Sequence, residues 1–553
     1  MQRRDFLLAS IAGMGWMQGS ASAGRRAARD ASAAPVVRTS EGLARGARAG
    51  GVSLFKGLRY GAPVGGQGRF RRAAPPRPWT GVRDFQTFGD RAPQPGKHSP
   101  QIGLPAPDAG PWASFTDPAP VGEDCLRLNI WTPEADSGAA RPVLVWLHGG
   151  GFREGSGSIN ASDGQALAAE NGVVVVTLNH RLGVFGYLSL DHLDPAFADS
   201  GNVGMLDIVD ALRWIRHNIR AFGGDPDRVA IFGESGGGAK VCALMAMPEA
   251  RGLFHGAITQ SGVLVWGMER AQAAEAANAL LDKLDIGRDP QRLLDLPAQA
   301  ILDGVSALGD GWARKFLPVI GGSLPRHPFA DGVPAESRDV PMIIGTSRDE
   351  ATILVGSPPI FALDWDGLRA TLAKMFPGDM AALVAGYRQL YPTKSPADVF
   401  FAVMSEFLIV RSSAYVANLR AAGASAATWV YSLEWPTPIM DGKLGVPHGL
   451  SVPLAFGTMA QVPSMVPVDA GSTAVSALIR QGWSSFAAGG APRPSSIAWP
   501  PYGAAGREVL AIDAAPSIVR DPRGAERRLL ADLPWFDTNG DHRAAPAAAK
   551  DMW

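Results

Sequence analysis

Short apolar runs rich in β-branched residues recur along the chain: Val143 to Leu147, Val173 to Leu178, Val229 to Phe232, Ala257 to Thr259, Val340 to Ile344 and Thr428 to Leu433. Runs that are apolar on both faces suit strands buried in a mainly parallel sheet covered by helices. Between the second and third runs, Ile208, Leu212, Ile215 and Ile219 fall at helical spacing and form one apolar stripe. Strand, helix and strand in alternation predict an α/β fold, a large and mostly parallel central sheet with helices on both faces. Residues 264–338 and 352–425 carry amphipathic patterns rich in Ala and Leu, and predict helical insertions over that sheet. Residues 93–122 are rich in Pro, Gly and Asp and predict a long surface loop.

The first 23 residues have a different pattern. Arg3-Arg4 precede an apolar run from Phe6 to Met17, which ends in the small residues Ala21-Ser22-Ala23. This is the three-part pattern of an export signal, and Arg-Arg-Asp-Phe-Leu is similar to the twin-arginine motif. The expectation is a signal peptide at 1–23 and export to the periplasm or beyond. No other stretch holds about 18 uninterrupted apolar residues, so no membrane span is expected in the mature chain.

Composition narrows the function. Lys+Arg and Asp+Glu number 52 each. Loss of Arg3, Arg4 and Asp5 leaves 50 basic and 51 acidic residues. Such a balance argues against nucleic acid as the main partner. Two Cys cannot build a disulfide framework. A length of 553 residues suggests three or four domains on average. The continuous alternation favours one domain over 24–538, followed by a frayed, Ala-rich tail at 539–553.

Chemistry first shows at Gly233-Glu234-Ser235-Gly236-Gly237, directly after a strand and before an apolar helix. This is the G-x-S-x-G nucleophile elbow, in which a tight turn lifts a serine hydroxyl clear of the sheet. A nucleophilic Ser235 needs backbone donors for a developing oxyanion. His148-Gly149-Gly150-Gly151 ends an upstream strand and supplies them, making the N–H groups of Gly150, Gly151 and Gly236 the expected oxyanion hole. A phosphate-cradling loop is the competing reading, and it lacks the G-x-x-x-x-G-K pattern.

Chain order in this fold places the acid and then the His after the Ser. Among the later histidines, His255 follows too closely, His327 precedes the best acid and His542 lies in the tail. His448, in a loop after the Thr428 strand, is the candidate base. The Val340 strand ends in a loop bearing Asp349 and Glu350, and spacing alone does not choose between them.

Further motifs carry a family resemblance over nearly the whole mature chain. They are Phe55–Pro63 (FKGLRYGAP), Glu123–Asn129 (EDCLRLN), Gly201–Asp207 (GNVGMLD), Phe222–Pro226 (FGGDP), Gln260–Gly262 (QSG) and Trp499–Tyr502 (WPPY). Together they resemble the type-B carboxylesterases, a family of the α/β-hydrolase fold. The resemblance implies Glu350 as the acid, Asp349 as structural, His448 as the base and Ser261 as a neighbour of the acid.

Three positions depart from the family pattern. Gly236 replaces the usual Ala, which should keep the backbone donor and loosen the elbow. Ser451 replaces the usual Glu three residues after the His. Ala92 replaces the usual partner of Cys125, so the loop staple is lost and Cys125 and Cys242 should be buried free thiols.

The expectation is a serine carboxylic-ester hydrolase, monomeric or homodimeric, using water as second substrate and neither cofactor nor metal. Its activity should fall below about pH 6–7, where an ordinary imidazole protonates. The alternatives are amide, carbamate or lactone hydrolysis with the same residues, and a non-catalytic binding protein on the same fold. Arg153 and Glu154, just after the oxyanion loop, either line the substrate path or are solvated surface charges. The Asn160-Ala-Ser162 sequon reads as a chance match.

Overall fold

The computed structural model describes residues 34–95, 110–309, 311–536, 542–546 and 549. The expected signal segment at 1–23 and most of the tail lie outside the described residues. Eleven strands form the main sheet: β1 (Ala47–Ala49), β2 (Val52–Arg59), β3 (Arg127–Thr132), β4 (Arg141–Leu147), β5 (Val174–Leu178), β6 (Gly224–Glu234), β7 (Gly256–Gln260), β8 (Met342–Ser347), β9 (Thr428–Leu433), β10 (Glu508–Ile512) and β11 (Ser517–Arg520). Their spatial order is β1-β2-β3-β5-β4-β6-β7-β8-β9-β10-β11. The seven strands from β5 to β10 in this order are mutually parallel, and antiparallel strands flank them on both sides.

All six expected strands are present, with ends shifted by a few residues. Alternation along β4 explains why its run is apolar throughout. Val143, Val145 and Leu147 enter one core, while Leu144 and Trp146 enter the other. Helix α1 (Gln165–Asn171) leads into β5, and the expected stripe Ile208, Leu212, Ile215 and Ile219 is wholly buried, the first three on helix α2 (Val203–Asn218) and Ile219 just beyond its end. On the opposite face Val475, Ile479, Trp483 and Phe486 of the helix Ala470–Gly489 join the core containing Leu144 and Trp146.

The chain runs from β4 outward to β5, then returns past β4 to β6. This reversal makes β4 and β6 neighbours, and the carboxyl ends of strands at such a reversal are the usual place for a ligand in an open α/β sheet. The glycine loop leaves β4 there, and Ser235 leaves β6.

The insertion at 352–425 has a core of its own, built from Leu368, Leu372, Leu383, Phe400, Phe401 and Phe407 among others. Its helical segment Pro396–Gly423 is long and apolar enough to cross a membrane by length and composition. Here 78% of its apolar window is buried within the protein. At its π-helical turn Glu406 is fully buried and accepts a hydrogen bond from Arg523 at 3.1 Å. The insertion at 264–338 contains two regular helices, Arg270–Lys283 and Ala298–Ser306.

Within the described part of the tail, His542–Arg543 pairs antiparallel with Trp535–Phe536, and Trp535 is buried edge-on against Trp266 and Tyr415. Both Cys are buried free thiols, as expected; burial first of all raises both, Cys242 to about 12.

The described parts of the 93–122 loop are held by polar contacts. Asp117 accepts from Ser156 and Ser158 at 2.6 Å each and from Arg91 at 3.0 Å. Gln94 exchanges two hydrogen bonds with the backbone of Gly155. The Asn160 carboxamide bonds the backbone of Ser114, Thr116 and Gln461, which gives this side chain a structural task.

Candidate active site

Ser235 joins β6 to helix α3 (Gly236–Met245) with φ 55° and ψ −123°. A non-glycine residue held there stores about 1–3 kcal/mol of strain. Two backbone bonds retain it: Ser235 N–H donates to the Gln260 carbonyl at 2.9 Å, and the Ser235 carbonyl accepts from Ala239 N–H at 3.1 Å. The second bond matters for chemistry. N–H and C=O of a trans peptide point oppositely, so fixing a carbonyl aims the N–H of the same peptide. The bond to Ala239 therefore aims Gly236 N–H away from the helix, at its positive end.

The same device orders the glycine loop. The Gly149 carbonyl accepts from His148 Nδ1 at 2.9 Å, which fixes the peptide carrying Gly150 N–H. The Gly150 carbonyl accepts from Glu154 N–H at 3.1 Å and Arg153 N–H at 3.3 Å, which fixes the peptide carrying Gly151 N–H. Gly150 and Gly151 have φ of 85° and 64°, a left-handed path that glycine permits without strain. The side chains of Arg153 and Glu154 pair with each other at 2.7 Å, and it is their backbone that serves the loop.

Gly236 corrects the sequence expectation of a looser elbow. A Cβ at this position would overlap the Cα and carbonyl of Gly151. The missing methyl lets the glycine loop close directly on the start of α3, so the departure tightens the site.

Glu350 follows β8 and is fully buried. One carboxylate oxygen accepts from Ser347 N–H at 2.7 Å, and the other faces His448 Nδ1 at 2.7 Å. Asp349 serves the neighbouring loop: its carboxylate accepts from Val446 N–H at 2.9 Å, and its own N–H donates to the Val446 carbonyl at 3.0 Å. The choice left open by spacing is thus resolved in space, with Glu350 against the imidazole and Asp349 anchoring the loop that carries it. Ser261 is buried with φ 52° and donates its N–H to Gly345 at 2.7 Å. Its hydroxyl makes no hydrogen bond among the described residues, so it is not joined to Glu350. The Ser451 hydroxyl is likewise buried and unpartnered among the described residues.

The pattern did not single out two buried charged residues, Glu234 and Lys240. Glu234 Oε1 lies 3.1 Å from His448 Nε2, and no hydrogen bond joins that ring to Ser235 among the described residues. Burial, reinforced by Glu350 and opposed by His448, pushes Glu234 up to about 7. Burial disfavours the imidazolium of His448, but Glu234 and then Glu350 outweigh it and push His448 up to about 9. A signal for both residues was available. Each is an ionisable side chain inside an otherwise apolar stretch, Val229–Glu234 and Gly236–Met247. On the outer side the Trp112 ring packs over Gly449, next to the imidazole.

A strained serine at the carboxyl end of a central parallel strand, beside a glycine loop and a carboxylate-bound histidine, defines a hydrolase of the α/β-hydrolase fold. The chain belongs to the carboxylesterase family, whose model matches residues 33–529. It is 34% identical to the para-nitrobenzyl esterase of Bacillus subtilis over 504 residues, covering 90% of this chain and 98% of that one. It is 33% identical to the phenmedipham hydrolase of Pseudarthrobacter oxydans, over 88% and 97% of the two chains. Among solved structures it resembles the Geobacillus stearothermophilus carboxylesterase, with a TM-score of 0.76 and 34% identity over 89% of this chain and 99% of that one. The protein is accordingly a carboxylic-ester hydrolase.

The Gly236 contact makes a direct prediction. Gly236→Ala, which restores the residue usual in the resembled motif, lowers stability by about 1–3 kcal/mol through overpacking against Gly151. Urea denaturation measures this, and esterase activity falls with it.

Proposed function

We propose that the protein cleaves carboxylic esters through an acyl-enzyme on Ser235, with His448 as general base and Glu350 as its acid. The 2.7 Å contact between Glu350 and His448 Nδ1, buried beside the elbow, carries this reading. The imidazole takes the Ser235 proton as the hydroxyl attacks the ester carbonyl. The N–H groups of Gly150, Gly151 and Gly236 hold the oxyanion, and His448 protonates the leaving alcohol. Water then attacks the acyl-enzyme with the same base. Glu350 holds the Nδ1–H tautomer and stabilises the imidazolium.

Glu234 Oε1 stands 3.1 Å from Nε2 and makes no hydrogen bond among the described residues, so Nε2 is not engaged by it in a bond. The two groups titrate as a pair. His448 is a base only when neutral, and both carboxylates favour its charged form. The acidic limb of the rate therefore lies above the pH 6–7 of an ordinary imidazole. We also propose export by the N-terminal Arg3-Arg4 segment. Two buried free thiols suit a chain that folds in a reducing compartment before transport.

Four outcomes test these readings. Wild-type protein should hydrolyse short-chain p-nitrophenyl esters and take an organophosphonate label at Ser235, located by peptide mass spectrometry. Ser235→Ala should lose at least about 10³-fold in kcat, and near-wild-type turnover would refute the acyl-enzyme. Glu234→Gln removes the larger field that raises His448, so the acidic limb of kcat/KM should move down by about one pH unit. An unmoved limb would remove Glu234 from the account. Replacing Arg3 and Arg4 with Lys should leave uncleaved precursor in the cytoplasm on cell fractionation.

A further inference from the structure

Lys240 is fully buried on the first turns of α3, four residues after Gly236 and so on the same face of the helix. Side chains on a helix lean toward its N-terminus, which carries this one back along the bare face of Gly236. Its Nζ donates to the His148 carbonyl at 2.9 Å and to the Gly151 carbonyl at 2.8 Å, and lies 5.5 Å from the centre of the Phe152 ring. These carbonyls belong to the peptides on either side of the two that carry Gly150 N–H and Gly151 N–H. The inner two are fixed by His148 Nδ1 and by the N–H groups of Arg153 and Glu154. Every carbonyl from His148 to Gly151 therefore has a donor, and Lys240 supplies the outer pair.

We propose that Lys240 is a positioning residue for ester hydrolysis, a clamp that holds the oxyanion loop against the start of the nucleophile helix. The proposal rests on the oxyanion hole described above. It names a contact across the site: one donor group on the helix that follows Ser235 grips both ends of the loop that follows β4. Gly236 is its complement, since the loop can be drawn in only because no Cβ stands in the way.

Burying an amine needs compensation, and burial draws Lys240 down to about 7 against the opposing field of Glu234. Two carbonyls and a ring face are the contacts that compensate it. Burial and then the neighbouring Lys240 both hold His148 well below the usual imidazole range. A neutral ring donating through Nδ1 leaves Nε2 without a proton, and that atom has no partner among the described residues.

An oxyanion develops only in the transition state, so a slack clamp should lower kcat and leave substrate binding nearly alone. The test is Lys240→Met, which keeps the length and removes the donors. Lys240→Ala, which leaves room for water between the carbonyls, is the second variant should the first not fold. Active sites are counted by organophosphonate labelling of Ser235, and p-nitrophenyl butyrate is the substrate. The Met variant should lose about 10- to 100-fold in kcat per labelled site, with KM within about threefold. Its affinity for a trifluoromethyl ketone should fall by the same factor as kcat. The Ala variant should lose less, because water can bridge the carbonyls. Wild-type kcat per labelled site in either variant, even with a lowered melting temperature, overturns the proposal and makes Lys240 merely structural. A wild-type enzyme that is active yet takes no label at Ser235 would instead overturn the acyl-enzyme on which the clamp depends.

Discussion

The site depends on one backbone-to-backbone approach, that of Gly151 on Gly236. Gly151 lies on the loop after β4 and Gly236 starts the helix after β6, and nothing separates them once residue 236 lacks a side chain. This contact brings together two segments far apart in sequence. It arises from the order of the sheet, because the reversal at β4 places the glycine loop beside the elbow. The strain at Ser235 is tolerable for the same reason. Gln260 on β7 and Ala239 on α3 hold the residue from both sides, so relaxing its backbone would break hydrogen bonds in a buried setting.

Charge around the imidazole follows from the same crowding. Glu350 reaches Nδ1 from the end of β8 and Glu234 reaches Nε2 from the end of β6, so one ring lies between two buried carboxylates. Burial works against the charged ring, but Glu234 and then Glu350 outweigh it and push His448 up to about 9.

Much of this was legible in the sequence, and the rest was hidden for identifiable reasons. Six of the seven parallel strands were readable because burial on both faces leaves an uninterrupted apolar run, as in Val174–Leu178; the seventh, Glu508–Ile512, was not read. The flanking strands were not read. Val52–Arg59 carries a register irregularity between Phe55 and Leu58, and Ser517–Arg520 lies at an edge with polar ends. Ser235, His448 and Glu350 came from motif, order and resemblance, each a property of position along the chain. The partners that hold them did not. Lys240 meets His148 across 92 residues and Glu234 meets His448 across more than two hundred, and neither pairing leaves a local pattern. The meaning of Gly236 was inverted for the same cause. From sequence a missing methyl reads as freedom, but in the fold it is the space that another backbone occupies.

The lost staple at Ala92 has its own physical consequence. In place of a covalent bond, the loop ends are held by the Asp117 carboxylate between Ser156, Ser158 and Arg91, and by Gln94 on Gly155. A disulfide stabilises mainly by restricting the unfolded chain, whereas these bonds act only in the folded state. Ser156 and Ser158 belong to the stretch that continues the glycine loop past Glu154. Asp117 and Gln94 therefore tie the outer loop to the same segment that Lys240 holds from below. Trp112 belongs to that outer loop and covers Gly449, beside His448. The outer loop is thus joined to the backbone strip 148–158 through Asp117 and Gln94, and to Ser464 and the apolar core through Ser114 and Trp112.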